Sequence, residues 1–234
     1  MGASRYLEDE DIWIAAGEVK NVSHVNKFGF KESVGSADFE TVWDGTGNLP
    51  YLTTASTLTV TADDIADSGD DIIIQGLDGN YQPLSETIEA TTAGNTGTSE
   101  FLRVFRAQYI AEVDSDNTAD INITGGGGQT LATISAGFGQ SLMAVYTVPA
   151  NTNAYLKKIQ TTTDKNQAFE TKLIARPIEQ GSFNTKGRFS GTEQTGYDYT
   201  IPLKFEAKTD LEVRAKGAGS PNISAVFDLI LVEK

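Results

Sequence analysis

Most protein chemistry at neutral pH rests on histidine, on activated thiols, or on metal sites built from both. This chain of 234 residues has one histidine, His24, and no cysteine. A serine nucleophile needs a base, and His24 is the sole imidazole available. No serine sits in a Gly-x-Ser-x-Gly elbow. Asp114-Ser115-Asp116-Asn117-Thr118-Ala119-Asp120 begins like a calcium loop. The sixth place then holds Ala119 where glycine is needed, and the twelfth holds Gly125 where a closing glutamate is needed. A turn between strands accounts for the same residues. Asp63, Asp64, Asp67, Asp70 and Asp71 crowd one connection and read as a solvated loop. Gly125–Gly128 lacks the Gly-Lys-Ser/Thr and the helix of a phosphate cradle. No spacing selects a carboxylate pair for glycoside hydrolysis. No catalytic, metal or cofactor-binding residue is assigned, and no cofactor is expected. The inventory suits a protein whose product is a surface.

Those residues sit among short strands. Thr57–Thr61 shows the period of two, and Ile72–Leu77 returns into Thr87–Ala90 through the hairpin turn Asp78-Gly79-Asn80. Phe39–Trp43 and the long run Phe101–Ile110 belong to the same set. Ala119–Thr124 and Gln129–Ser135 flank the four glycines. Ser141–Val148, Ala154–Thr163, Phe169–Arg176, Tyr199–Glu206, Leu211–Lys216 and Ile223–Val232 complete it. His24 falls on the polar phase of Val19–Val25 and reads as a surface residue. The one helix candidate is a turn around Ala62–Ala66. Many short strands with almost no helical period predict an all-β protein. The expected architecture is an antiparallel β-sandwich or jelly roll, as one large domain or two packed sandwiches, with an extended N-terminal arm.

Charge and composition divide the chain. Residues 1–117 carry 6 basic and 21 acidic side chains; residues 118–234 carry 12 and 11. The expected organisation is an arm over 1–17, an acidic β region over 18–112 and a C-terminal β-sandwich region over 113–234. A net charge of -14 disfavours nucleic acid and anionic membrane as partners. No apolar stretch reaches the length of a bilayer span. The start of the sequence lacks a signal-peptide pattern, and Tyr6 stands where a myristoylation motif wants Ser or Thr. Without cysteine, assembly in a reducing cytoplasm is expected. In the arm, Tyr6, Leu7, Ile12, Trp13 and Ile14 surround the run Glu8–Asp11. An aromatic anchor with flanking charge is typical of an interface, so these five are the candidate contact residues.

Val25-Asn26-Lys27-Phe28-Gly29 precedes Phe39-Glu40-Thr41-Val42-Trp43-Asp44-Gly45. Ile74-Gln75-Gly76-Leu77-Asp78-Gly79-Asn80-Tyr81 leads to Glu86-Thr87-Ile88. Phe101-Leu102-Arg103-Val104 and Tyr146-Thr147-Val148-Pro149-Ala150-Asn151-Thr152 follow. In that order these runs resemble a group of tailed-bacteriophage virion structural proteins, common among phages of aquatic bacteria. The resemblance extends from about residue 18 to the C-terminus, and its strength lies in the order of the runs. It implies a non-enzymatic particle component on the head exterior, with the major capsid protein or other virion proteins as partners. A capsid decoration, or cement, protein acting as a homotrimer is the expected role. A head–tail connector, a tail or fibre component, and a carbohydrate-binding host-attachment module using Tyr197 and Tyr199 are the alternatives.

Overall fold

A computed structural model describes residues 10–111 and 116–234. A short helix, α1 (Glu10–Ala15), precedes sixteen strands among the described residues. The first nine are β1 (Val22–Lys31), β2 (Glu40–Thr41), β3 (Thr59–Ala62), β4 (Asp71–Leu77), β5 (Pro83–Glu89), β6 (Asn95–Thr96), β7 (Arg103–Ile110), β8 (Ile121–Gly125) and β9 (Gln129–Ile134). The rest are β10 (Val145–Thr147), β11 (Thr152–Thr163), β12 (Phe169–Pro177), β13 (Asn184–Gly191), β14 (Gln194–Phe205), β15 (Thr209–Gly217) and β16 (Ile223–Glu233). Every paired strand in the sheets is antiparallel. The chain is all-β and sandwich-like, as its alternation requires.

Two hydrophobic cores divide the molecule. The first lies between the sheet β6-β3-β8-β9 and the sheet β5-β4-β7. Its wall is made by every second residue: Ile72 and Ile74 of β4, Ile121 and Ile123 of β8, all fully buried. The second lies between β1-β16-β11-β14 and β10-β15-β12-β13, with β2 added beside β15. Here Phe227 and Leu229 of β16 meet Leu173 of β12 and Val213 of β15. The cores cut the chain elsewhere than at 112/113. β8 and β9 complete the first core, while β1 pairs along its whole length with the last strand, β16.

The chain crosses between sandwiches at Val42/Trp43 and again at Met143–Tyr146. Gly29 makes the crossing possible. A Cβ there would lie 2.2 Å from the Ala144 nitrogen and 2.3 Å from the Val42 oxygen, so no larger residue fits. Lys27, two residues earlier on the same phase, is therefore aimed inward. Its Nζ donates to the Phe105 carbonyl across the junction.

Candidate functional site

The arm is helical over its described part, a departure from the extended form expected of it. Asp11 lies in the first turn, where the helix dipole favours negative charge. Gly17, at φ 75°, ends it: the Glu18 N–H donates to the Trp13 carbonyl and the Gly17 N–H to that of Ile14. This is a Schellman closure, and Ala15-Ala16-Gly17 was its signal in the sequence. Ile14 is buried, and with Ala15 it lines a groove over His24 and Ile230 on the outer face of the β1-β16-β11-β14 sheet. Asp11 is tied to Lys157 at 2.5 Å. Ile12 and Trp13 keep 48% and 36% of their surface. Tyr6 and Leu7 lie outside the described residues.

The same groove reaches β14, where Asp198 and Tyr199 form its far wall. β14 is an edge strand of its sheet. Between the pairs Leu156↔Leu203 and Lys158↔Asp198 four residues of β14, 199–202, stand against Lys157 alone, so they leave the ladder. Ile201 is 85% exposed and Tyr197 55%. Tyr197 meets Tyr199 edge-on at 4.8 Å. Apolar side chains on α1 and on β14 thus flank one groove. The edge strand itself was missed from Gln194 to Asp198, because a strand exposed on both faces carries no burial period.

His24 is exposed, as its polar phase requires. Its Nε2 is 3.6 Å from Asp228 Oδ1, and Asn26 donates to the same oxygen at 2.6 Å.

The acidic clusters serve the backbone. Asp67 is buried, contrary to the solvated loop expected, and accepts the N–H of Thr118 at 2.7 Å and of Ala119 at 2.9 Å. Asp64 accepts the Ala66 N–H and caps a single 3₁₀ turn, and Asp70 accepts from the Tyr109 hydroxyl. Asn117 donates to Ala119 and Ser135 carbonyls and accepts the Gly139 N–H, while Asp120 accepts the Ala136 N–H. Asp114 lies outside the described residues. No group of three or more metal-type ligands occurs among the described residues.

A buried ionic network joins the sandwiches. Arg103 of β7 makes a two-pronged pair with Asp210 of β15, at 2.8 and 3.1 Å. Asp210 also accepts from Arg176 at 2.6 Å and from the Thr147 hydroxyl at 2.7 Å. Two residues on, buried Glu212 accepts from Arg214, Tyr51 and Thr41. The Tyr51 ring lies 5.1 Å from the Arg103 guanidinium and 4.4 Å from that of Arg176. Burial, then the Glu212 and Asp210 charges, push the Tyr51 hydroxyl well above the usual tyrosine range. It is a neutral donor here, and the network acts as a weld.

No protein-family model matches the chain, and no curated protein matches it. Among solved structures it is similar to "Structure of infectious bursal disease virus Gx strain", at 10% identity and a TM-score of 0.21, over 91% of this chain and 75% of that one. It is also similar to the crystal structure of the infectious bursal disease virus VP2 subviral particle, at 8% identity and a TM-score of 0.15, over 90% and 76%. Likeness at that level assigns neither fold family nor function.

Proposed function

We propose that this protein is a non-enzymatic structural component of a virus particle. Its specific role is that of a decoration protein on the exterior of a bacteriophage head, acting as a homotrimer. The observation that carries the reading is the flank of the second sandwich. There Ile14 and Ala15 of α1 and Tyr199 of the edge strand β14 line one groove, and the same two elements leave Ile12, Trp13, Tyr197 and Ile201 exposed, on a body joined by buried ion pairs. Exposed aromatic and aliphatic anchors on a rigid scaffold are what an assembly contact needs. The resemblance of the order of its sequence runs to that of phage virion proteins supports the same reading. Repetition of one modest contact over many copies supplies the affinity. Copy number in purified particles tests it. Hundreds of copies on the shell are expected; a dozen or fewer would assign the chain to neck or tail.

One observation favours a carbohydrate-binding module instead. The Tyr197–Tyr199 pair stands beside Asp198 and Lys158, an aromatic platform with polar neighbours. Glycan binding that is lost in Tyr197→Ala, together with low copy number, would replace the decoration reading.

A further inference from the structure

The end of the second sandwich opens into a cleft of about 610 Å³. Its floor is apolar, with Leu203, buried Phe205 and half-exposed Ile178. Its mouth is cationic: Lys186, Lys204, Lys208 and Lys234 line it against Glu179 and Glu206. Lys204 and Lys234 share Glu206, at 2.7 and 3.3 Å, and Lys208 Nζ lies 5.3 Å from the Tyr81 ring. Lys186 has no carboxylate within ion-pair distance among the described residues. Deeper in, Thr209 lines the cleft at 1% exposure, and its hydroxyl has no hydrogen-bond partner among the described residues. Thr209 shares the inward phase of Leu211 and Val213, so that hydroxyl points into the open end of the sandwich. A buried hydroxyl without a partner beneath a cationic mouth calls for an acidic occupant, and the floor calls for aliphatic bulk.

We propose that the occupant is the tip of the first sandwich of a second copy of this chain. Asp63 and Asp64 precede the 3₁₀ turn Ile65–Asp67. Ile65 keeps 72% of its surface, and Asp63 is exposed beside it. Asp120 stands at the same tip, where its carbonyl accepts the Asp63 N–H. Buried Asp67 fixes the turn through the Thr118 and Ala119 N–H groups, so the tip is formed before it docks. It presents one aliphatic side chain flanked by carboxylates, the complement of an apolar floor flanked by lysines. In this seat Ile65 covers Leu203 and Ile178, Asp63 and Asp64 face Lys186 and Lys204, and the Thr209 hydroxyl donates to the turn. The tip cannot enter its own cleft. It lies at the Asp71 end of β4, whereas Tyr81, beside the cleft at Lys208, follows the Leu77 end, and a strand of seven residues spans about 23 Å. Two tips do not pair, because carboxylates would face carboxylates. Tip to cleft is a head-to-tail contact, and such contacts close into rings when the rotation between copies permits. A ring of three is the homotrimer proposed above; the contact itself rests on the tip and the cleft, not on a shell.

Analytical ultracentrifugation of the free full chain tests the contact without any particle. The wild-type chain should form a closed oligomer. Ile65→Ser on the tip and Lys186→Glu in the cleft each change an exposed side chain. Both variants should therefore keep the wild-type circular dichroism while self-association weakens about tenfold or more. Mixing the two should restore one contact per pair, because the intact tip of the Lys186→Glu chain meets the intact cleft of the Ile65→Ser chain. A dimer should then appear at concentrations where neither variant associates alone. Zero-length carbodiimide coupling with peptide mapping should join Asp63 or Asp64 to Lys186 or Lys204, and only between copies. A monomeric wild-type chain, unchanged association in either variant, a mixture that stays monomeric, or absence of the cross-link overturns the proposal. An oligomer that responds to both variants but holds a number of copies other than three supports the contact and overturns only the homotrimer.

Discussion

The first sandwich, spanning residues 43–145, carries fourteen carboxylates, two arginines and no lysine. The second interleaves its cations with carboxylates and aromatic rings, as where Lys172 and Lys216 lie 4.4 and 5.1 Å from the Phe39 ring. Neither arginine of the first sandwich neutralises its outer surface. Arg103 is spent on Asp210 of the other sandwich, and Arg106 lies close enough to Lys27 to repel it. One sandwich thus carries an excess of acidic charge, part of it buried on backbone N–H groups at Asp67, and the other interleaves charges of both signs. A field of one sign over the first sandwich disfavours close approach of two copies through that face.

Breaking the weld between them should have the largest effect. Asp210→Ala leaves Arg103 buried without its counter-charge, and loss of one partner of a buried pair costs about 3–5 kcal/mol. Calorimetry should show a large fall in Tm and two separated transitions, one per sandwich. A single transition at the original temperature would mean that the cores alone couple the halves.

Removing the arm should act on only one side of the comparison. Deletion of residues 1–14 exposes the floor under Ile14 and costs about 1–2 kcal/mol of burial. The β body should remain folded by circular dichroism, while self-association or attachment to the shell weakens by about tenfold or more. Attachment through the acidic sandwich would in addition weaken with salt. A truncated chain that is equally stable and binds particles normally would remove the arm from the interface.

The pH response should differ between the sandwiches and be of intermediate size. Asp44 borders the first core; burial, with Asp120 and Glu32 nearby, pushes its carboxyl up to about 8, despite the N–H donated by Leu142. Folded Asp44 keeps a proton that the unfolded chain has released, so its contribution is lost as pH rises from about 4 to about 8. Lys27 behaves oppositely. Burial and Arg106 lower it to about 7. The unfolded chain holds more protons between about 7 and 10.5, so stability rises with pH across that window and is lost as pH falls through it. Asp44→Asn should flatten the fall in Tm between pH 4 and 8, and Lys27→Met the rise above pH 7. Unchanged slopes in both variants would mean that neither group titrates as placed.

The smallest effect belongs to His24→Ala. An exposed contact with Asp228 is worth less than about 1 kcal/mol, so Tm and assembly should barely move. Loss of assembly would give the lone histidine a role its position does not suggest.

The strands most easily read in the sequence are those with one buried face. β4 and β16 declare themselves as dense β-branched and apolar runs, Ile72-Ile73-Ile74 and Leu229-Ile230-Leu231-Val232, and His24 was legible from its phase. β13 was not: Asn184–Gly191 is an exposed edge strand with glycines at Gly187 and Gly191, and no face of it repeats an apolar residue every second position. α1 was hidden by its six residues, too few for a helical period. The ion pair of Arg103 with Asp210 joins residues 107 apart, which no local pattern encodes. Of the contact residues, Ile14 turns to the body and Ile12 and Trp13 turn away, a distinction that needs the helix and its docking face.

The lysine-free sandwich has a practical consequence. Between Lys31 and Lys157 the chain has no primary amine. An amine-reactive dye or cross-linker therefore modifies one end of the molecule and leaves the other untouched. On an assembled particle, the extent of such labelling becomes a compass needle: it reports which sandwich points at the solvent before any image is taken.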